Sequence, residues 1–173
     1  VPLGASHTRG IVLPIAVDTC PPGAIRTFHV SSASGCSSLS EVPGDFATTR
    51  AAGSAPWNAW VENECANIVE KRSVPCTSLA EVAGTWLGGK RIARLKIDAQ
   101  GRDLEVVRSL GPHVDKVRFV QMELVHDDAA KLYVGAPGCT DVVMGMKALG
   151  FVVADSRLGG DGCAEETWGN RRP

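Results

Sequence analysis

Residues 95–101 read Leu-Lys-Ile-Asp-Ala-Gln-Gly, and no other stretch constrains the fold as strongly. Upstream, Ile92 to Ala99 has the length and apolar content of a buried strand. Downstream, Leu104, Val107 and Leu110 recur at helical spacing until Gly111-Pro112 halts them. A strand passing into a helix across one glycine is the building unit of an α/β domain. It leaves Asp98 and Gln100 at the strand's carboxyl end, with Gly101 free to turn the backbone sharply.

The same alternation continues on both sides of this unit. Ser78-x-x-Glu81 has the spacing of a capping box, with Leu79, Val82, Trp86 and Leu87 on one helical face and Gly88-Gly89 as its stop. Val117 to Val125 is apolar on both faces apart from Gln121 and Glu123, as a central parallel strand should be. Thr140 is placed to cap a helix carrying Val142, Val143, Met146 and Leu149, closed by Gly150, and Phe151 to Ala154 reads as a final strand. This order predicts right-handed crossovers and a mostly parallel sheet.

The remainder is less regular. Ile11 to Val17 and Ile25 to Val30 read as strands joined through Pro21-Pro22-Gly23, and Pro14 confines the first to an edge because it has no N–H to give. Residues 31–75 are rich in Ser, Gly and Ala, contain Trp57 and Trp60, and show no amphipathic period, which predicts a long loop or lid with the tryptophans as a local plug. We therefore read 1–173 as a single domain: edge strands over 1–30, irregular chain over 31–75, and a regular α/β half over 76–173.

Charge narrows the partners. The formal net charge is -1, and the basic clusters are short, Lys90-Arg91 with Arg94 and then Arg171-Arg172. Bulk phosphate neutralisation of nucleic acid needs more than this. No apolar run reaches the length a membrane helix requires, and residue 1 opens no secretory leader. The six cysteines are scattered without a C-x-x-C pair, which argues against structural zinc and leaves free thiols or disulfides. Cys139–Cys163 is the pairing we favour, since both lie in glycine-rich turns, and it would suit an organellar or lumenal compartment.

In parallel sheets, ligands gather outside the carboxyl ends of the strands. Asp98 and Gln100 lie there, Glu123 lies near the end of the next strand, and His126-Asp127-Asp128 follow it. Asp98 is either a functional carboxylate or a cap on the following helix. Glu123 is either functional or a satisfied buried acid. His126-Asp127-Asp128 reads as a solvated loop before it reads as a metal corner.

The run from Arg94 through Leu95-Lys96-Ile97-Asp98-Ala99-Gln100-Gly101 to Val107 resembles the Leu-Lys-Ile-Asp-x-Glu-Gly signature of FkbM-type S-adenosylmethionine-dependent methyltransferases. Four further stretches agree in order. Leu13 to Val17 is similar to the family's third strand, and Gly35 to Leu39 to its small-residue loop. Val120 to Leu124 is similar to its fifth strand, and Leu149-Gly150-Phe151 to the start of its last hairpin. Gln100 stands where the commoner form has Glu.

The resemblance implies a Rossmann-like sheet of the class I methyltransferase type and O-methyl transfer from S-adenosylmethionine. It assigns catalysis to Asp98, Glu123 and Lys96, and cofactor contacts to Ala16, Val17, Asp18 and Gln100. The family's glycine-rich first turn and ribose-binding acid have no counterpart before Leu13, so the fold is expected to be incomplete. This chain alone is expected not to bind the cofactor, and other protein chains are its expected partners. The alternative is a non-catalytic accessory subunit of a larger assembly.

Overall fold

The computed structural model describes residues 12–43, 59–125, 127, 131–157 and 165–170. They form two small sheets. The first has the order β1-β3-β2, from β1 (Ala16–Val17), β2 (Ile25–Ser31) and β3 (Ile68–Thr77). The second has the order β4-β5-β7-β6, from β4 (Ile92–Lys96), β5 (Val117–Glu123), β6 (Phe151–Arg157) and β7 (Glu165–Asn170).

The sheets are mixed, which corrects the expectation of a mostly parallel one. β1 runs parallel to β3 and β4 parallel to β5, whereas β2–β3, β5–β7 and β6–β7 are antiparallel. The physical reason is β7. Phe151 does not begin the last strand; the chain returns as Glu165–Asn170 and inserts between β5 and β6. Trp168 is fully buried at its centre.

β3 is the second correction, since it lies largely within the stretch expected to be irregular. Ile68-Val69-Glu70-Lys71-Arg72-Ser73 is exposed on most positions and carries no apolar alternation. Its order comes instead from pairing with β2, from Ile25 opposite Pro75 to Ser31 opposite Ile68. β1 lies at the edge, but only Ala16 and Val17 are strand, so Pro14 falls outside it and is not what places it there; Val12 and Leu13 are exposed.

Among the described residues, three α-helices flank the second sheet. Ser78 caps α1 (Leu79–Glu81), its hydroxyl accepting the Glu81 N–H at 3.2 Å. The helix then widens into a π-type turn over Val82–Trp86. This turn rotates the expected apolar face: Leu79 and Ala83 are buried, while Trp86 and Leu87 are exposed. α2 (Asp103–Arg108) buries Leu104, Val106 and Val107, and Leu110 beyond it. α3 (Cys139–Ala148) buries Val142 and Met146 against them. Its cap is not Thr140. Gly138 is the N-cap residue, and Asp127 reaches over to accept hydrogen bonds from the Thr140 N–H and hydroxyl.

Two disulfides lie beside the first sheet: Cys20–Cys76 joins the segment after β1 to β3, and Cys36–Cys65 joins the turn Ser34–Cys36 to the turn Val61–Cys65. Cys139 is also disulfide-bonded, and Cys163, the partner expected for it, lies outside the described residues. No helix among the described residues is long and apolar enough to cross a membrane.

Candidate functional site

β4 ends at Lys96, and Ile97 continues its line by donating its N–H to the Gln121 carbonyl at 2.8 Å. The chain then turns through two left-handed residues, Gln100 at φ 49° and Gly101 at φ 90°. A non-glycine residue in this region costs about 1 kcal/mol or more, and three contacts hold Gln100 there. Its carbonyl accepts from the Ser38 hydroxyl at 2.8 Å, its Oε1 accepts from the Tyr133 hydroxyl at 2.8 Å, and its Nε2 donates to Asp98 Oδ1 at 2.6 Å. The Tyr133 hydroxyl is equally close to the Cys36 carbonyl, 2.8 Å. Gly101 admits no side chain, because a Cβ would stand 3.0 Å from the Tyr133 side chain.

Asp98 is therefore presented to solvent from a fixed turn. Its side chain is 52% exposed, with Lys96 Nζ 3.9 Å away. Among the described residues its carboxylate meets Gln100 and Lys96 and no backbone N–H. The N–H that crosses the turn, from Ala99, goes to Asp103 Oδ1 at 3.2 Å. Asp98 does not cap α2, so the capping alternative fails and an outward-facing carboxylate remains.

The turn is electrostatically negative. Burial pushes the Asp103 carboxyl above the ordinary range, against backbone hydrogen bonds that lower it, and the neighbouring Asp98 adds to the rise. Tyr133 is held well above the usual phenol range by burial first, then by Asp98, Glu123 and Asp103. Glu123, exposed at the end of β5, thus belongs to the same field as Asp98. The phenol stays protonated as a donor throughout the physiological range.

Beside this rim lies a cleft of about 340 Å³ between the two sheets. Ala16 and Val17 of β1, Phe28 of β2, Leu39, and Leu95 and Ile97 from β4 make its apolar wall, with Lys96, Asp98 and Arg102 at its polar margin. The outer edge of β4 carries no strand among the described residues. Strand β1, the nearest candidate, pairs with β3 instead. Exposure of Ala93, Arg94 and Lys96 follows, in place of the buried strand expected over Ile92–Ala99.

The structure brings Lys96, Asp98, Ala16 and Val17 to one cleft, with Gln100 bonded to Asp98 behind them. It turns Asp18 away. That carboxylate is 1% exposed and is gripped by the Arg102 guanidinium at 2.7 and 3.0 Å, with the Thr19 N–H at 2.6 Å. Asp127 caps α3, while His126, Asp128 and Trp57 lie outside the described residues. No group of three or more His, Cys, Asp or Glu among the described residues is arranged for a metal ion. Sequence reasoning missed Tyr133, Ser38, Arg102 and Asp103. Tyr133 is the chain's single tyrosine, and that was the one available signal.

Fold and rim together define an α/β domain with a cleft at the carboxyl end of a parallel strand pair. Residues 7–153 match the model of the Methyltransferase FkbM domain, and the chain belongs to that family. No curated protein and no solved structure matches it.

S-adenosylmethionine is the cofactor typical of the family. The apolar wall of the cleft would suit a flat base, and Asp98 is the one carboxylate among the described residues at its polar margin, beside Lys96 and Arg102. A ribose needs a two-oxygen acceptor, and Asp18, the acid expected nearby, is spent on Arg102.

Proposed function

We propose that this domain serves methyl transfer from S-adenosylmethionine to an oxygen nucleophile, and that its own residues supply one wall of the site. The observation that carries this reading is Asp98. It is an exposed carboxylate at the mouth of an apolar cleft, clamped by Gln100 at 2.6 Å, beside a strand edge with no partner among the described residues. The cofactor supplies an electrophilic methyl group. Asp98 and Glu123 balance the cofactor's positive charge, and Asp98 accepts a proton or orients the acceptor hydroxyl. Lys96, whose Nζ lies 3.9 Å from the Asp98 carboxylate, is its ion-pair partner at the cleft mouth.

The other wall is a polypeptide segment laid along β4. An open edge of unpaired N–H and C=O groups invites such pairing, and a stable contact would bury on the order of 1,000 Å² or more. Asp18, paired with Arg102, is not available to the ribose. Titration calorimetry of the 173-residue chain with S-adenosylhomocysteine tests this. The expected result is no saturable heat; micromolar binding would show that the chain needs no second segment.

A second reading is favoured by the Asp18–Arg102 pair. With that acid locked inward, the domain suits a role as a non-catalytic subunit that uses the same β4 edge for assembly. Methyl transfer by a reconstituted complex separates the two readings. Under either, the disulfides suit an oxidising compartment such as an organelle lumen.

A further inference from the structure

A second cleft, of about 480 Å³, opens at the opposite end of β4 and β5 from Asp98. The parallel register that sets Ile92 beside Val117 creates it, because Arg91 and the Lys116–Arg118 segment are thereby carried to one place. We propose that this cleft binds a phosphate monoester dianion.

The charge balance favours an anion. Arg91, Lys116 and Arg118 line the cleft against one carboxylate, Asp115, which lies 3.9 Å from Lys116. The lining side chains therefore carry two net positive charges in a chain whose total is -1. Neither Arg91 nor Arg118 has an ion-pair partner among the described residues, whereas Arg72 and Arg108 do.

Geometry narrows the anion. The Arg118 guanidinium lies 5.0 Å from the centroid of the Phe119 ring, a cation–π contact that restrains it beside the cleft. Asn170 closes the floor by donating to the Val114 and Val117 carbonyls at 2.9 and 3.1 Å. Two guanidinium forks and an ammonium around one concavity match the several oxygens of a phosphate dianion better than a single carboxylate. A soluble phosphate ester and a phospholipid headgroup share this chemistry.

The test titrates the full oxidised chain with inorganic phosphate and pyrophosphate at low and raised salt. Saturable binding that weakens with salt is expected. Arg91→Gln and Arg118→Gln should each weaken it about tenfold, while Arg94→Gln, outside the cleft, leaves it unchanged. The replaced side chains are exposed, so circular dichroism should confirm an intact fold. Co-sedimentation with phosphatidic acid vesicles, against phosphatidylcholine alone, identifies the source. Capture lost in Arg91→Gln supports a lipid headgroup, and soluble binding without capture supports a free phosphate ester. Absence of both, or binding indifferent to Arg91 and Arg118, overturns the proposal.

Discussion

The Arg102 guanidinium grips the buried Asp18 carboxylate with two nitrogens, Nε donating to Oδ2 at 3.0 Å and Nη2 to Oδ2 and Oδ1 at 2.7 and 3.0 Å, and so joins the end of β1 to the start of α2. Arg26 adds a weaker contact at 3.8 Å. Breaking such a pair leaves a charge without compensation, and the cost falls on whichever partner remains buried. Arg102→Leu strands Asp18 and should cost about 3 kcal/mol or more. Asp18→Asn leaves Arg102, which is partly exposed, and should cost less. Urea denaturation of both variants checks the order; equal midpoints would mean the pair is not what joins these elements.

Gly101→Ala should be among the most damaging single-methyl changes. It places a Cβ on a backbone at φ 90° and presses it to 3.0 Å from Tyr133. Together these should cost about 2–3 kcal/mol. Tyr133→Phe removes the hydroxyl that holds Gln100 and should cost about 1–2 kcal/mol. Hydrogen exchange should then rise at Gln100 and Gly101 while β5 stays protected.

Asp98→Asn separates function from stability. The side chain is half exposed and carries no backbone N–H, so the melting temperature should move by no more than about 2 °C. In any assembly that methylates, the same change should abolish turnover. A large loss of stability would instead mark Asp98 as structural.

Asp103 should give a pH signature. Its folded-state carboxyl is raised above the unfolded one, chiefly by burial. The folded state therefore binds this proton more tightly, and the associated stability is fully present below the unfolded value. It is lost as pH rises from the ordinary carboxylate range through the raised folded value. Asp103→Asn keeps an oxygen for the Ala99 N–H and should flatten the stability profile in that window. An unchanged profile would exclude Asp103 as its source.

The Cys20–Cys76 disulfide spans 56 residues of chain and holds β1 against β3. Closing a loop of that size restricts the unfolded chain by about 4 kcal/mol in the loop-entropy account. Cys20→Ser/Cys76→Ser should lower the urea midpoint accordingly. If β1 drifts from β3, exchange at Ala16 and Val17 should rise before any change at β5.

Much of the second sheet was legible in the sequence because its signals are local. The capping box at Ser78, the apolar spacing of Leu104, Val107 and Leu110, and the glycine after Gln100 each act within a few residues, through side-chain capping, burial periodicity and backbone freedom. The resemblance to the FkbM family rested on short runs too, chiefly Arg94 to Val107. Polar stretches were not legible. Glu70 to Ser73 has no apolar period of its own and becomes strand because β2 lies beside it.

The sequence by itself thus determined that β4 turns at Asp98-Ala99-Gln100-Gly101 into helix, since that turn depends on residues in immediate succession. Tertiary structure alone decided the rest. Gln100 is held by Ser38 and Tyr133, Asp18 is consumed by Arg102 84 positions away, and β7 inserts antiparallel beside β5. Such pairings depend on which chain segments meet after folding. A hydrogen bond or ion pair is short-ranged in space but indifferent to distance along the chain, so spacing along the sequence carries no trace of it.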